Sequence, residues 1–141
     1  CLMPNHFHII VKQEAENGVS RYLSNLQNSY TKYFNLKNER IGHLFQGQFK
    51  AVRIQNENQL LHTSRYVHLN PYTSYLVKNW GNLINYPWSS LNEYIGNNND
   101  GICVTKTVLS GFPTKKKYLE FMSDQKDYQR TLAQIKHLAL D

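Results

Sequence analysis

Cysteine is nearly absent from this chain. Its 141 residues hold two, Cys1 and Cys103, far apart and in no C-x-x-C arrangement, so neither a disulfide framework nor a structural zinc site is indicated. A reducing cytoplasm is the default compartment. Long hydrophobic runs are also missing: no stretch approaches the ~20 apolar residues that a membrane span needs. There is no secretory signal pattern, no internal repeat, no low-complexity segment and no glycine-rich phosphate loop of either standard type. With 40% hydrophobic residues and a mean hydropathy of -0.60, the expectation is one soluble α/β unit with a real core. The chain opens on Cys1 directly inside a strand-like run, as expected of a chain whose beginning is missing.

Acidic residues are the minority charge. Sixteen Lys and Arg stand against ten Asp and Glu, a formal net charge of +6, and a pI near 9.3 favours an anionic partner, nucleic acid first. Residues 1–55 carry seven basic and three acidic side chains, 56–96 two of each, and 97–141 seven and five. The excess therefore lies mostly near the beginning of the chain. A mildly basic surface without a specific partner reads the same composition equally well. Aromatic residues make up 13%, ten of them tyrosine; exposed rings can stack on unpaired bases, although most such rings serve ordinary packing.

The most informative residues are His6-Phe7-His8, followed by the apolar run Ile9-Ile10-Val11. In a strand, alternate residues share a face and lie roughly 6.5–7 Å apart at Cα, so both imidazoles can reach one metal ion while Phe7, Ile9 and Val11 face a core. A hydrogen-bonded histidine couple is the plainer alternative. A helix is expected from Gly18 or Ser20 to about Leu36, with Val19, Leu23, Leu26, Tyr30, Tyr33 and Phe34 at helical spacing. A strand around Phe49, Ala51, Val52 and Ile54 follows, with Gly47 marking a bend or bulge. The next helix runs from Glu57 to Leu69 and is stopped by Pro71. Its buried stripe is Leu60, Leu61, Ser64 and Val67, and Tyr66 and Asn70, four apart, project side by side from the remaining face. Ser89 or Ser90 caps a short helix through Tyr94 that ends at Gly96, and helical stretches are expected at Thr105–Leu109 and from Lys115 to about Ala139. The Lys115-Lys116-Lys117 run reads as a solvated helix start before it reads as a phosphate contact.

A histidine pair, a tyrosine and an amide on one helix end, and a basic surface suit metal-assisted phosphodiester cleavage with tyrosine as nucleophile. A free phenol, with a pKa near 10, is a poor attacker unaided, and a divalent cation on the scissile phosphate offsets charge in the transition state. His6 and His8 would supply two ligands and Asn70 a third; the mixed shell suits Mn²⁺ by softness and Mg²⁺ by availability. No general base for Tyr66 can be identified.

Four ordered segments carry a family resemblance: Met3-Pro4-Asn5-His6-Phe7-His8-Ile9-Ile10-Val11, Gly42-His43-Leu44-Phe45-Gln46-Gly47-Gln48-Phe49-Lys50, Ser64-Arg65-Tyr66-Val67-His68-Leu69-Asn70-Pro71 and Tyr86-Pro87-Trp88-Ser89-Ser90. Together they resemble the REP-associated tyrosine transposases, single-tyrosine members of the HUH endonuclease superfamily. The resemblance is strong over residues 1 to about 96 and looser from Val104 to Met122. It implies that His6 and His8 bind the metal, that Tyr66 is the nucleophile, and that Asn70 completes the metal shell. It also implies a ferredoxin-like α+β fold, an antiparallel sheet with helices packed on it, here missing an N-terminal strand and helix. Residues 1–96 would form the transposase core and 97–141 a helical extension of the same domain.

The expected activity is single-stranded DNA cleavage and strand transfer through a covalent 5′-phosphotyrosine, with Mg²⁺ or Mn²⁺ as cofactor. Single-stranded or hairpin DNA is the expected partner, a homodimer could form at an exposed sheet edge, and no membrane is involved. The expected location is the cytoplasm of a prokaryote, in association with the nucleoid. Gln46, Gln48, Lys50 and Arg53 fall where DNA-facing groups are expected, though strand-edge packing explains them as well. His68 has no assigned role, since two residues on from Tyr66 it points elsewhere on a helix. Two rival readings stay open: a DNA-binding protein of the same fold without chemistry, and a His-x-His metal-dependent hydrolase.

Overall fold

The structure is a computed structural model, and it describes residues 1–96 and 101–129. Six helices account for its regular structure: α1 (Gly18–Lys37), α2 (Glu57–Thr73), α3 (Trp80–Leu83), α4 (Leu91–Ile95), α5 (Lys106–Leu109) and α6 (Lys115–Ser123). The chain divides into two compact units, one formed by Cys1–Ile9 with the described residues from Ile54 onward and the other by Ile10–Arg53.

The expected ferredoxin-like antiparallel sheet is not present among the described residues. Among the described residues the sole β pairing is an isolated antiparallel bridge between Leu2 and Phe7. Period-two patterning states what a segment could bury as a strand, but ladder hydrogen bonds need a second strand alongside, and no local pattern supplies one. The run expected to be a core strand is instead solvated, with Ile9, Ile10 and Val11 all exposed. The stretch expected to be a second strand is also irregular. Gly42 and Gly47 take left-handed backbone angles, φ 93° and 73°, which interrupt an extended run, and Val52 is exposed.

The helices follow the sequence more closely. In the second unit, α1 starts at Gly18 and ends one residue past the expected Leu36, with Leu23 buried. Tyr30 packs among Tyr33, Phe34 and Phe45, at centroid distances of 6.1–6.4 Å. In the first unit, Asn56 caps α2 by accepting from the Gln59 amide, and the Gln59 side chain accepts from the Gln55 amide at 2.7 Å, a variant of the reciprocal cap that satisfies free donors at a helix start.

Proline does not stop α2 at Leu69; the helix continues through Pro71 to Thr73. Pro71 and Tyr72 are both buried, and that burial outweighs the mild preference against α geometry in the residue before a proline. The freed end is closed by Ser74 N donating to Asn70 O and Val77 N to Pro71 O. Short α3 has no counterpart in the sequence reading. Helix α4 ends at Gly96 as expected, where a side chain would collide with Asn92. The helical stretch expected from Lys115 is regular through Ser123, and its portion past residue 129 lies outside the described residues.

Around α2 the first unit builds one core from Leu69, Tyr72, Leu83, Leu91, Tyr94, Val108, Tyr118 and Met122. Residues from α2 to α6 all contribute, so α2 is enclosed along one side by four later elements. Among the described residues no helix is long and apolar enough to cross a membrane. Leu83, fully buried on the four-residue α3, has its burial as the reason for that helix. Leu83→Ala is therefore expected to destabilise the protein by about 2–5 kcal/mol in urea unfolding followed by circular dichroism, and a loss within experimental error would contradict this core.

Candidate active site

The site begins in a reversal of only eight residues. With Pro4-Asn5 as the two-residue turn, Met3 N donates to His6 O at 2.8 Å and His8 N donates to Cys1 O at 2.9 Å. His6 and His8 are alternate residues of the returning arm and leave it on the same side. Their rings lie edge to face, 5.0 Å apart at the centroids. The reversal is held in place by residues 86–88: Leu2 N donates to Trp88 O at 2.7 Å, and the Tyr86 hydroxyl donates to Leu2 O at 2.8 Å.

Each imidazole is prepared differently. His6 Nδ1 is 2.7 Å from Asn5 Oδ1. A carboxamide oxygen only accepts, so Nδ1 is the donor of this pair, which leaves Nε2 as the nitrogen that can ligate. His8 is partly buried, and its pKa is pushed below the usual imidazole value first by desolvation and then by neighbouring His6. It is accordingly neutral at pH 7, and its Nε2 is buried with no hydrogen-bond partner. The sequence alone assigns Asn5 no role; the signal it offers is a place directly before the first histidine, at the turn.

From α2, Tyr66 reaches the same place. Its ring is 5.5 Å from that of His8, edge to face, and it is 50% exposed on a helix whose neighbouring positions 64, 65, 67 and 68 are all buried. Asn70 sits one turn further on, 8% exposed, and its Nδ2 has no hydrogen-bond partner. His6, His8 and Tyr66 are thus brought together, with Asn70 on the adjoining turn of the same helix. Gln46, Gln48, Lys50 and Arg53 are exposed on the irregular segment of the other unit, and the constellation described here is drawn from the first unit alone.

The opposite side of α2 is polar and buried. The Tyr118 hydroxyl of α6 is 2.6 Å from Ser64 Oγ and 2.7 Å from His68 Nδ1, and His68 Nε2 is 2.9 Å from Ser90 Oγ. Burial holds His68 neutral, with its pKa lowered to about 3, so one ring nitrogen donates and the other accepts. Arg65 is 5% exposed. It donates to Phe121 O at 3.1 Å and to Gln125 Oε1 at 2.9 Å and lies 2.7 Å from His62 Nδ1, with its guanidinium 4.2 Å from the Phe121 ring centroid. Five donors in a rigid fork suit a cation that must be satisfied without a carboxylate at contact. His68, left without a role by the sequence, is a structural residue of the core.

Among the described residues no group of three or more His, Cys, Asp or Glu side chains is arranged to hold a metal ion. Among the described residues, a third protein ligand beside the two histidines would have to come from another residue type, and Asn70 is the amide on the turn after Tyr66.

Residues 1–70 match the family model described as Transposase IS200 like, and the chain belongs to this family of single-tyrosine transposases. The matched stretch contains His6, His8, Tyr66 and Asn70 and ends before Ser90 and Tyr118. No curated protein and no solved structure matches the chain. Its function is accordingly transposase-like DNA processing, and DNA is its partner.

The buried imidazole has a consequence for stability. His68 titrates near the ordinary 6.5 when unfolded and at about 3 when folded, so between those values the unfolded chain binds the extra proton and stability falls as pH drops. The loss is on the order of a few kcal/mol by pH 4. Urea unfolding at pH 7, 6, 5 and 4 should give a steeper decline for the wild type than for His68→Gln; parallel profiles would contradict a neutral buried His68.

Proposed function

We propose that the protein cleaves single-stranded DNA by attack of Tyr66 on a phosphodiester, forming a covalent 5′-phosphotyrosine, and that strand transfer follows by reversal of that step. The observation that carries this reading is the 5.5 Å approach of the Tyr66 ring to His8, from the one exposed position in an otherwise buried run of α2, residues 64–72. The Tyr66 Oη–P bond forms as the P–O3′ bond breaks; the phenol proton passes to solvent and the departing 3′ oxygen takes one up. The tyrosine is half exposed, so water can accept that proton without a dedicated base. Attack by a 3′ hydroxyl on the same phosphorus returns the phenol and joins strands with no ATP, because the intermediate keeps the bond energy.

His6, His8 and Asn70 would hold a divalent cation. The fit rests on His8 Nε2, buried without a partner, on the bond from His6 Nδ1 to Asn5 that leaves Nε2 as its ligating nitrogen, and on the lowered pKa of His8, since a ligating imidazole must be deprotonated. Two imidazoles and an amide oxygen suit Mn²⁺ or Mg²⁺. Such an ion, when bound, supplies Lewis acidity that offsets negative charge on the scissile phosphate. Asn5 orients the His6 ring, and the bonds of Leu2 to Trp88 and Tyr86 hold the histidine hairpin to residues 86–88.

End-labelled single-stranded hairpin DNA incubated with Mn²⁺ tests the reading. Wild type should yield an adduct that survives denaturation, and Tyr66→Phe should yield none while binding the same DNA within a few fold. Hydrolysed DNA bearing a free 5′ phosphate and no adduct would overturn it. Separately, Asn5→Ala is expected to weaken Mn²⁺ binding by about 10- to 100-fold in calorimetric titration without DNA, and unchanged affinity would remove Asn5 from the site.

A further inference from the structure

The reaction proposed above uses one face of α2, yet the shortest side-chain hydrogen bond of that helix, Ser64 Oγ to the Tyr118 hydroxyl, lies on the other. Ser64 and His68 are four apart and share a face, while Tyr66, two residues from each, is turned roughly 160–200° away from both at 3.6 residues per turn. Both Ser64 and His68 converge on a single oxygen, the Tyr118 hydroxyl, at 2.6 and 2.7 Å. Tyr118 is fully buried, so this oxygen has no water to turn to, and a rotation of α2 in either direction must break one of the two bonds. Whichever bond breaks leaves a buried polar group of α2 without its partner, which is unfavourable and opposes rotation both ways.

Two further contacts fix the remaining freedoms. His68 Nε2 to Ser90 Oγ, 2.9 Å, ties the same helix to the start of α4. Ser90 lies two residues from Trp88, whose carbonyl holds Leu2 of the histidine hairpin. Arg65, adjacent to the tyrosine, clamps α2 to the end of α6 through Phe121 O and Gln125 Oε1. The chain of contacts therefore runs from the tyrosine helix to the segment that carries the histidine pair.

We infer that Tyr118 is a positioning residue for the nucleophile: its hydroxyl, shared by Ser64 and His68, sets the rotation of α2 at which Tyr66 faces His8. This inference rests on the proposed role of Tyr66. Tyr118 touches neither DNA nor the reacting atoms; it acts through α2. The sequence gives no sign of it, because Tyr118 is 50 or more residues from its partners and one of ten tyrosines.

Tyr118→Phe keeps the ring and removes only the shared oxygen. Two readouts are needed, one independent of activity. The first is the nuclear Overhauser contact between the His8 and Tyr66 rings, expected in wild type and weakened or lost in Tyr118→Phe with the far-ultraviolet spectrum unchanged. The second is single-turnover adduct formation at saturating hairpin DNA and Mn²⁺, well below the melting temperature. It is expected to fall by about 10- to 100-fold with the DNA dissociation constant within twofold. A merely structural hydroxyl would lower the melting temperature and leave the saturated rate and the ring contact as in wild type, and that result overturns the inference. Should Tyr118→Phe not fold, Ser64→Ala, which removes one of the two bonds, is expected to give a smaller loss in both readouts, and wild-type values in it overturn the inference equally. If wild type forms no adduct, the reading of Tyr66 fails on its own, and the ring contact alone decides whether Tyr118 sets the helix.

Discussion

A single buried oxygen decides how α2 presents itself. The Tyr118 hydroxyl takes Ser64 and His68 on one side of the helix, and the geometry of 3.6 residues per turn then sends Tyr66 to the other. The apolar core, Leu69, Tyr72, Leu83, Leu91, Tyr94, Val108 and Met122, would be satisfied by a range of helix rotations, since apolar contact is not directional. Hydrogen bonds are directional, and when buried they are costly to leave unmade. The polar network therefore supplies what the apolar core cannot, one rotational setting out of many.

The histidine side of the site is built by different means. A two-residue turn at Pro4-Asn5 brings residues 6–8 back along residues 1–3, and one bridge with its flanking backbone bonds is enough to place two imidazoles on one side. Asn5, at the turn, also orients the His6 ring. Residues 86–88 then grip Leu2. Every one of these contacts lies within the first unit, so the histidine pair and the tyrosine helix are fixed to the same framework.

What could be read in the sequence, and what could not, divides along the range of the interactions concerned. Helix α1 and the start of α2 follow from local signals, helical spacing in one case and the Asn56 cap in the other. The pairing of Tyr66 with Asn70 on one helix follows from a spacing of four. The expected sheet failed because a strand is defined by a neighbour, and Ile9, Ile10 and Val11 have none among the described residues. Pro71 misled for a related reason: a local preference for ending the helix yields to the burial of Pro71 and Tyr72. The roles of His68, Arg65 and Tyr118 were illegible altogether, since each depends on contacts spanning 22 to 60 residues.

Membership in the IS200-like transposases and the geometry around His8 and Tyr66 meet in one claim, that a phenol oxygen of this chain becomes bonded to DNA. Mass spectrometry of the protease-digested protein after reaction with hairpin DNA and Mn²⁺ tests it most directly. The account predicts a nucleotide phosphate on the peptide containing Tyr66 and on no other peptide. An unmodified Tyr66 peptide beside cleaved DNA, or the same modification on a different tyrosine, would contradict it.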